Sequence, residues 1–384
     1  MKKNILFLPF LQLPSGHHQA AHALIEGIQQ INPNIQCEKV DILAYSYGKI
    51  ESIVSKVYLN WIYVFPQIYN NLYKLLVYRR IEDNKRYRLY EWLFIPFVKK
   101  LIEDKKPDLI ICTHSLPAYI INILKSNNEL QIPVINVYTD YFIHSLWGVE
   151  HIDYHFVSSV EIKEILIKKG IQKEKVFITG IPIHPKISKQ TKNRGLLKKT
   201  NYSILVSGGN LGVGVLEPLL KKASNSIDKK QLKLYVLCGK NVNLYKKLKE
   251  LNKDYLIPLK YIDCRERMNQ LYNQMDAIIT KPGGVTISES LFKRIPIFII
   301  NALPGQEEIN LEKLMNMGLV FHMEMDDIVE QLIGKLNDKK TFLDYQSQVD
   351  HYHSQLDQKD PSEIIIEYIL SKSGVDFGSC EEND

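Results

Sequence analysis

Short apolar runs recur along this chain at intervals filled by helical patterns, and this alternation constrains the fold more than any other feature. NILFLPF (residues 4–10), DLIICT (108–113), VINVYT (134–139), YHFVS (154–158) and VFIT (176–179) form a first series. SILVSGG (203–209), LKLYVLCG (232–239), LKYID (259–263), AIIT (277–280) and IPIFII (295–300) form a second. Near-continuous apolar strands separated by helices read as parallel sheets covered on both faces. Between the series lies KISKQTKNRGLLKKT (186–200), polar and without apolar periodicity, which reads as an interdomain linker. The expected fold is α/β, with two doubly wound domains facing a central cleft. The expected boundaries are 1–188, 200–355, and 356–384 for a C-terminal helix, which could pack back on the first domain, and a tail. Ligands of such sheets bind at the carboxyl ends of the strands, so chemistry is expected in the cleft.

A chain of 384 residues is long enough for two cores, and its 45% hydrophobic content is that of an ordinary soluble protein. Cys37, Cys112, Cys238, Cys264 and Cys380 form no CxxC pair, which argues against a zinc site or disulfide framework and for a reducing compartment. The opening MKKNILFLPFLQLPSGHH has a short apolar stretch with two prolines and reads as a buried first strand rather than a leader. No segment approaches the roughly 18 apolar residues of a spanning helix. The net charge is +6, and residues 49–106 alone account for it, with twelve Lys/Arg against six Asp/Glu. The same stretch holds twelve aromatics from Tyr58 to Phe97. A basic, aromatic segment points to an anionic surface as partner. Its bulky rings, and the absence of a known nucleic-acid motif, disfavour nucleic acid.

Five loops follow strand ends. In LQLPSGHHQAAHAL (11–24), Gly16 allows a tight turn and His17 starts a helix, placed as a general base or as a capping or anion-binding residue. VSGGNLGVG (206–214) offers glycines for a phosphate at a helix N-terminus, but matches neither the Rossmann spacing nor the P-loop. In AIITKPGGVTISES (277–290), Gly283 and Gly284 free a turn at a helix start, a second anion site. Thr286 can donate to phosphate there. Glu289 would be repelled by phosphate but can accept two bonds from a vicinal diol such as ribose; its bland alternative is a solvated helix position. NALPGQEEIN (301–310) brings Gln306, Glu307 and Asn310 to a helix start, a set suited to a hexose or to simple capping. In VYTDYFIHSLWGVE (137–150), Asp140 and His144 could share a site with His17. The alternatives there are an N-cap for Asp140 and core packing for Trp147.

SGHHQAAHAL, INVYTDYFIHSLW, FITGIPIHP, CGKN, TKPGGVTISES and LPGQEEIN occur in that order. Together they resemble the monogalactosyldiacylglycerol synthase and processive diacylglycerol glucosyltransferase family, within glycosyltransferase family 28. The glycosyltransferase that makes lipid II is a more distant relation. The resemblance runs from about residue 3 to about residue 370. It implies a GT-B fold of two Rossmann-like domains and an inverting transfer that needs no metal or other cofactor. The implied donor is UDP-glucose or UDP-galactose, the acceptor diacylglycerol, and the place the cytoplasmic face of the cell membrane, held peripherally by anionic lipids. It makes His17 the proton acceptor, with Asp140 and His144 beside the acceptor. Gly16, Gly180, Ile181, Pro182, Gly208, Gly209, Gly239, Lys281, Gly283, Gly284, Thr286 and Gly305 would surround the donor. Glu289 would bind its ribose, and Gln306 and Glu307 its hexose. Trp61, Phe65, Tyr73, Arg79, Arg80, Arg86 and Trp147 would meet the membrane or acceptor. The first loop departs from the family's Gly-x-Gly-His, with Pro14 replacing the first glycine, which stiffens it.

The mechanism makes physical sense of these parts. A histidine can be neutral near pH 7 and take a hydroxyl proton. Without a metal, backbone N–H groups and helix starts must meet the diphosphate charge. No DxD-type motif is evident, and MEMDDI (323–328) reads as surface. Three other readings compete: a soluble acceptor, a nucleotide-sugar binder without catalysis, and a UDP-sugar epimerase. The aromatic segment disfavours the first, and intact His17, Asp140 and Glu289 disfavour the second.

Overall fold

The computed structural model describes residues 3–10, 16–47, 86–191, 199, 201–208, 232–324 and 327–371. Within them the chain forms two parallel six-stranded sheets. The first has the order β2-β1-β3-β4-β5-β6, from β1 (Asn4–Leu8), β2 (Gln36–Lys39), β3 (Leu109–Cys112), β4 (Val134–Val137), β5 (Tyr154–Val157) and β6 (Val176–Ile178). The second has the order β12-β11-β10-β7-β8-β9. Its strands are β7 (Tyr202–Ser207), β8 (Leu232–Leu237), β9 (Leu256–Leu259), β10 (Ala277–Thr280), β11 (Ile297–Ile299) and β12 (Phe321–His322).

The central strands β3, β4 and β10 are buried along their whole length, because helices cover both faces of each sheet. The described helices of the first half are α1 (Gly16–Ile31), α2 (Ile42–Tyr47), α3 (Arg88–Lys105), α4 (Ser115–Ser126) and α5 (Val160–Lys168). Those of the second are α6 (Val242–Glu250), α7 (Arg265–Gln274), α8 (Gly284–Phe292), α9 (Gln306–Asn316), α10 (Ile328–Asn337) and α11 (Lys339–Ser354).

The last helix, α12 (Pro361–Ser371), returns to the first sheet and packs on α1. Its Ile365 and Ile366 join a core with Ile5, Phe7 and Leu24. Two bonds carry the chain across: Tyr352 Oη donates to Ser158 O (3.0 Å), and Asp357 N to Ile178 O (2.8 Å).

The strand expected at 259–263 lies instead at Leu256–Leu259. Pro258 obscures it in the sequence, and β9 tolerates a proline because it is a sheet edge. β2 and β12 were not expected; QCEK and FH carry no apolar run, and both are edges as well.

Candidate active site

The carboxyl ends of β1, β4, β7 and β10 open on one cavity of about 360 Å³ between the two sheets. His17 enters it from the first turn of α1. Its Nδ1 lies 2.9 Å from Thr113 O and 2.7 Å from Thr139 Oγ1. A carbonyl oxygen only accepts, so Nδ1 carries the hydrogen and Nε2 keeps its lone pair. Burial pushes the His17 pKa below the ordinary 6.5, against the Asp140 charge and the Thr113 bond, which raise it. The result is a neutral imidazole at pH 7 with a free basic nitrogen. His114 stands edge-on to it, ring centroids 4.6 Å apart, and is the N-cap of α4.

On the opposite wall, Glu289 is 4% exposed, which removes the reading of a solvated helix residue. Tyr272 Oη donates to its Oε2 (2.8 Å), and Arg265 Nη1 lies 3.6 Å from its Oε1. Burial raises its pKa above 4.5, opposed by Arg265 and Tyr272. Arg265 and Tyr272 are seven residues apart on α7 and so face the same way. Lys281 stands 3.8 Å from Glu307 Oε1, while Glu307 Oε2 accepts from Leu303 N (2.7 Å) and shapes its own loop. That loop turns at Gly305, whose φ of 88° favours glycine at the start of α9.

The two walls meet at three successive residues after β4. A Cβ on Gly284 would stand 2.0 Å from Thr139 O, so only glycine lets α8 approach this closely. Asp140 accepts from Gln306 Nε2 at both oxygens (2.8 Å each) and from Asn310 Nδ2 (2.8 Å). Tyr141 N donates to Asn310 Oδ1 (2.8 Å), and its hydroxyl bonds Ser288 Oγ (2.7 Å). Asp140 is therefore neither an N-cap nor an unengaged carboxylate beside an acceptor. It joins the halves and fixes the Gln306 amide, leaving the Gln306 oxygen as its acceptor.

Of the residues singled out in the sequence, Gly16, His17, Asp140, Gly239, Lys281, Gly283, Gly284, Thr286, Glu289, Gln306, Glu307 and Asn310 line the cavity, while Gly305 stands outside its lining and turns the loop that carries Gln306 and Glu307. His144 does not. It lines a second pocket with Trp147 and Arg86, its Nδ1 accepts from Leu146 N (3.3 Å), and burial lowers its pKa to about 3. Trp147 is 5% exposed against Tyr138 (centroids 4.4 Å apart), so core packing describes it and direct membrane contact does not. Gly180, φ 70°, faces Tyr352 and Leu356. Ile181 is buried beside Gly284, and Pro182 with it lies outside the cavity lining. Gly208 ends the described part of its loop, buried. Gly209, Trp61, Phe65, Tyr73, Arg79, Arg80 and Pro14 lie outside the described residues.

Thr113, Thr139, His114, Arg265 and Tyr272 were not singled out. His114 obeys the rule that flagged His17, a histidine where a strand hands over to a helix. The Arg265–Tyr272 spacing was also legible. The role of Thr113 was not, because it acts through its backbone carbonyl.

Among the described residues, one group could hold a metal ion: His22, Glu26 and His184, outside the cavity lining. His184 Nδ1 already accepts from Lys186 N (3.2 Å), and the pKa of both histidines is lowered by burial first and by the Arg265 charge after it; that neighbouring cation disfavours a second one. The described end of the basic, aromatic segment is α3, where Leu89 and Trp92 are 65% and 75% exposed. Arg86 is braced internally: its guanidinium donates to Glu91 (3.1 and 2.5 Å), which also accepts from Tyr119 Oη (2.7 Å). No helix among the described residues is long and apolar enough to cross a membrane.

Residues 17–183 match the family described as monogalactosyldiacylglycerol (MGDG) synthase, and residues 203–358 the glycosyltransferase family 28 C-terminal domain. An uncharacterized glycosyltransferase of Bacillus subtilis, YkoN, is 38% identical over 366 residues, covering 94% of this chain and 96% of its own. The processive diacylglycerol beta-glucosyltransferase of the same organism is 29% identical over 376 residues, covering 94% and 93%. The crystal structure of Acinetobacter baumannii MurG superposes with a TM-score of 0.60 at 13% identity, covering 96% of this chain and 99% of its own. At that identity the likeness speaks for the GT-B fold alone.

Proposed function

The chain belongs to glycosyltransferase family 28, with a first half of the monogalactosyldiacylglycerol synthase type, and on that premise we propose that it transfers a hexose from UDP-glucose or UDP-galactose to diacylglycerol at a membrane surface. The observation that carries the reading is His17, with its Nδ1 proton tied to Thr113 and its Nε2 free, across one cavity from Glu289. In this reading the acceptor hydroxyl gives its proton to Nε2 as its oxygen bonds the anomeric carbon. The bond from that carbon to the diphosphate breaks on the opposite face, and its electron pair leaves with UDP, so the configuration inverts.

The leaving charge falls at the start of α8, where the first helical N–H groups, from Gly284 onward, meet the cavity and Thr286 and Lys281 line the wall, while Gly283 N donates to Lys281 O (2.8 Å) and shapes the turn. Glu289 has acceptor capacity beyond Tyr272 and Arg265 for the ribose diol, since each carboxylate oxygen takes two bonds. Gln306 and Glu307 stand where a hexose would follow. These residues supply the chemistry without a metal. The exposed Leu89 and Trp92, beside a basic stretch, support docking on anionic lipid, which the proposal places at the cytoplasmic face.

Incubation with UDP-glucose and with UDP-galactose, each with diacylglycerol in anionic vesicles, tests the reading by product analysis. A glycosyldiacylglycerol from one donor is expected. Turnover of either donor only with a soluble alcohol would replace the lipid acceptor, and hydrolysis or epimerisation alone would remove the transfer.

A further inference from the structure

Thr139 touches both halves of the molecule, and by different atoms. Its hydroxyl oxygen stands 2.7 Å from His17 Nδ1. Its backbone oxygen occupies the space that a side chain at Gly284 would need. The next two residues are bonded to the donor half through Gln306, Asn310 and Ser288, so the Thr139 peptide is held while the halves are together.

The Thr113 carbonyl sets the tautomer of His17, but a single acceptor leaves the ring free to swing about that bond. A second acceptor on the same nitrogen, from a different strand end, removes that freedom. We propose that Thr139 is a positioning residue for His17: its hydroxyl orients the imidazole, and its peptide is set by the donor half, so the base is aligned when the two halves are closed. The inference rests on His17 being the base. Threonine suits the task because its branched side chain has few χ1 choices, and here it is 4% exposed.

The charged and titratable groups that act on the ring are Asp140 and His18, together with His114 and His144 from the facing elements. Against that fixed background, removing the Thr139 acceptor takes one stabilising bond from the imidazolium. The pKa of the base then falls, and the acid limb of kcat/KM moves to lower pH.

The test uses the full chain, diacylglycerol in anionic vesicles, and whichever UDP-hexose is turned over. Thr139→Val keeps the shape and removes the hydroxyl; Thr139→Ser keeps the hydroxyl. The valine variant should lose about tenfold in kcat, the worth of one well-placed hydrogen bond. Its donor KM should stay within about twofold, since uniform binding is untouched. Its acid limb should move down, and the serine variant should recover most of kcat. A valine variant with wild-type kcat and an unmoved limb would overturn the inference, as would a serine variant as impaired as valine. Should the valine variant fail to melt cooperatively, Thr139→Ala against Thr139→Ser makes the same comparison. His17→Ala is measured alongside. If it keeps more than about half of turnover, the base assignment falls and the positioning role with it. If it is inactive while Thr139→Val is normal, the positioning role alone falls.

Discussion

His17 and Glu289 line facing walls of one cavity, and burial has moved their protonation in opposite directions. The His17 pKa is pushed below 6.5 and the Glu289 pKa above 4.5. The physical cause is the same: a poorly hydrated site disfavours whichever form is charged. Histidine is charged when protonated and glutamate when deprotonated, so the shifts converge. Each is then held by its own half: His17 by Thr113 and Thr139, Glu289 by Tyr272 and Arg265. The difference between them lies in what is left over. His17 keeps an unused lone pair, which suits proton transfer. Glu289 keeps acceptor capacity beside a cation, which suits binding.

The sharpest way to break this comparison is to delete the proposed base. His17→Ala should lower kcat by about 10²–10⁴-fold while UDP binding changes little, measured by steady-state kinetics and calorimetry. Glu289→Ala should do the reverse. UDP affinity should weaken by about 1.5–3 kcal/mol, the range of charge-assisted hydrogen bonds, and an unchanged dissociation constant would strip Glu289 of its ribose role.

The seam between the walls gives a third contrast. Gly284→Ala would drive a Cβ into the Thr139 carbonyl, whereas a Cβ on Gly283 meets nothing within 4 Å. Overpacking of this kind costs about 1–3 kcal/mol, so Gly284→Ala should melt earlier than wild type while Gly283→Ala melts with it. Equal melting points would mean that α8 does not press on Thr139 in solution.

The smallest effects are those of pH. To act as the proposed base His17 must be neutral, so kcat/KM should fall as pH drops through a value below 6.5. Glu289 must be ionised to accept from a diol, so UDP affinity should fall through a value above 4.5. Stability has its own acid limb. Burial depresses His144 and His155 to about 3 and His184 and His353 to about 4. The unfolded chain takes up those protons near 6.5 and the folded chain does not, so stability should decline as pH falls below about 6.5. Urea midpoints that stay constant from pH 7 to 5 would contradict these shifts.

Where sequence reading succeeded or failed depended on position in the sheet. Central strands such as β3 and β10 are buried on both sides, so their residues are nearly all apolar, Thr280 at the cavity end of β10 being the exception, and the run is visible. Edge strands such as β2 have one neighbour and tolerate charge, so QCEK carried no signal. The site divides in a similar way. His17, Gly284, Glu289 and Gln306 announce themselves as unusual residues at strand ends. His144 and Trp147 follow the same pattern yet line a different pocket, because a turn after Tyr141 carries them away from the cavity.

The sequence by itself determined the α/β class, the pair of parallel sheets and the family, since these rest on periodicity and on ordered local motifs. Only the tertiary structure decided what Asp140 and Thr139 do. Their partners, Gln306, Asn310, Gly284 and His17, lie more than a hundred residues away along the chain. A side chain's chemistry is local and can be read from its type, but the use made of it depends on which distant group folding brings within 3 Å.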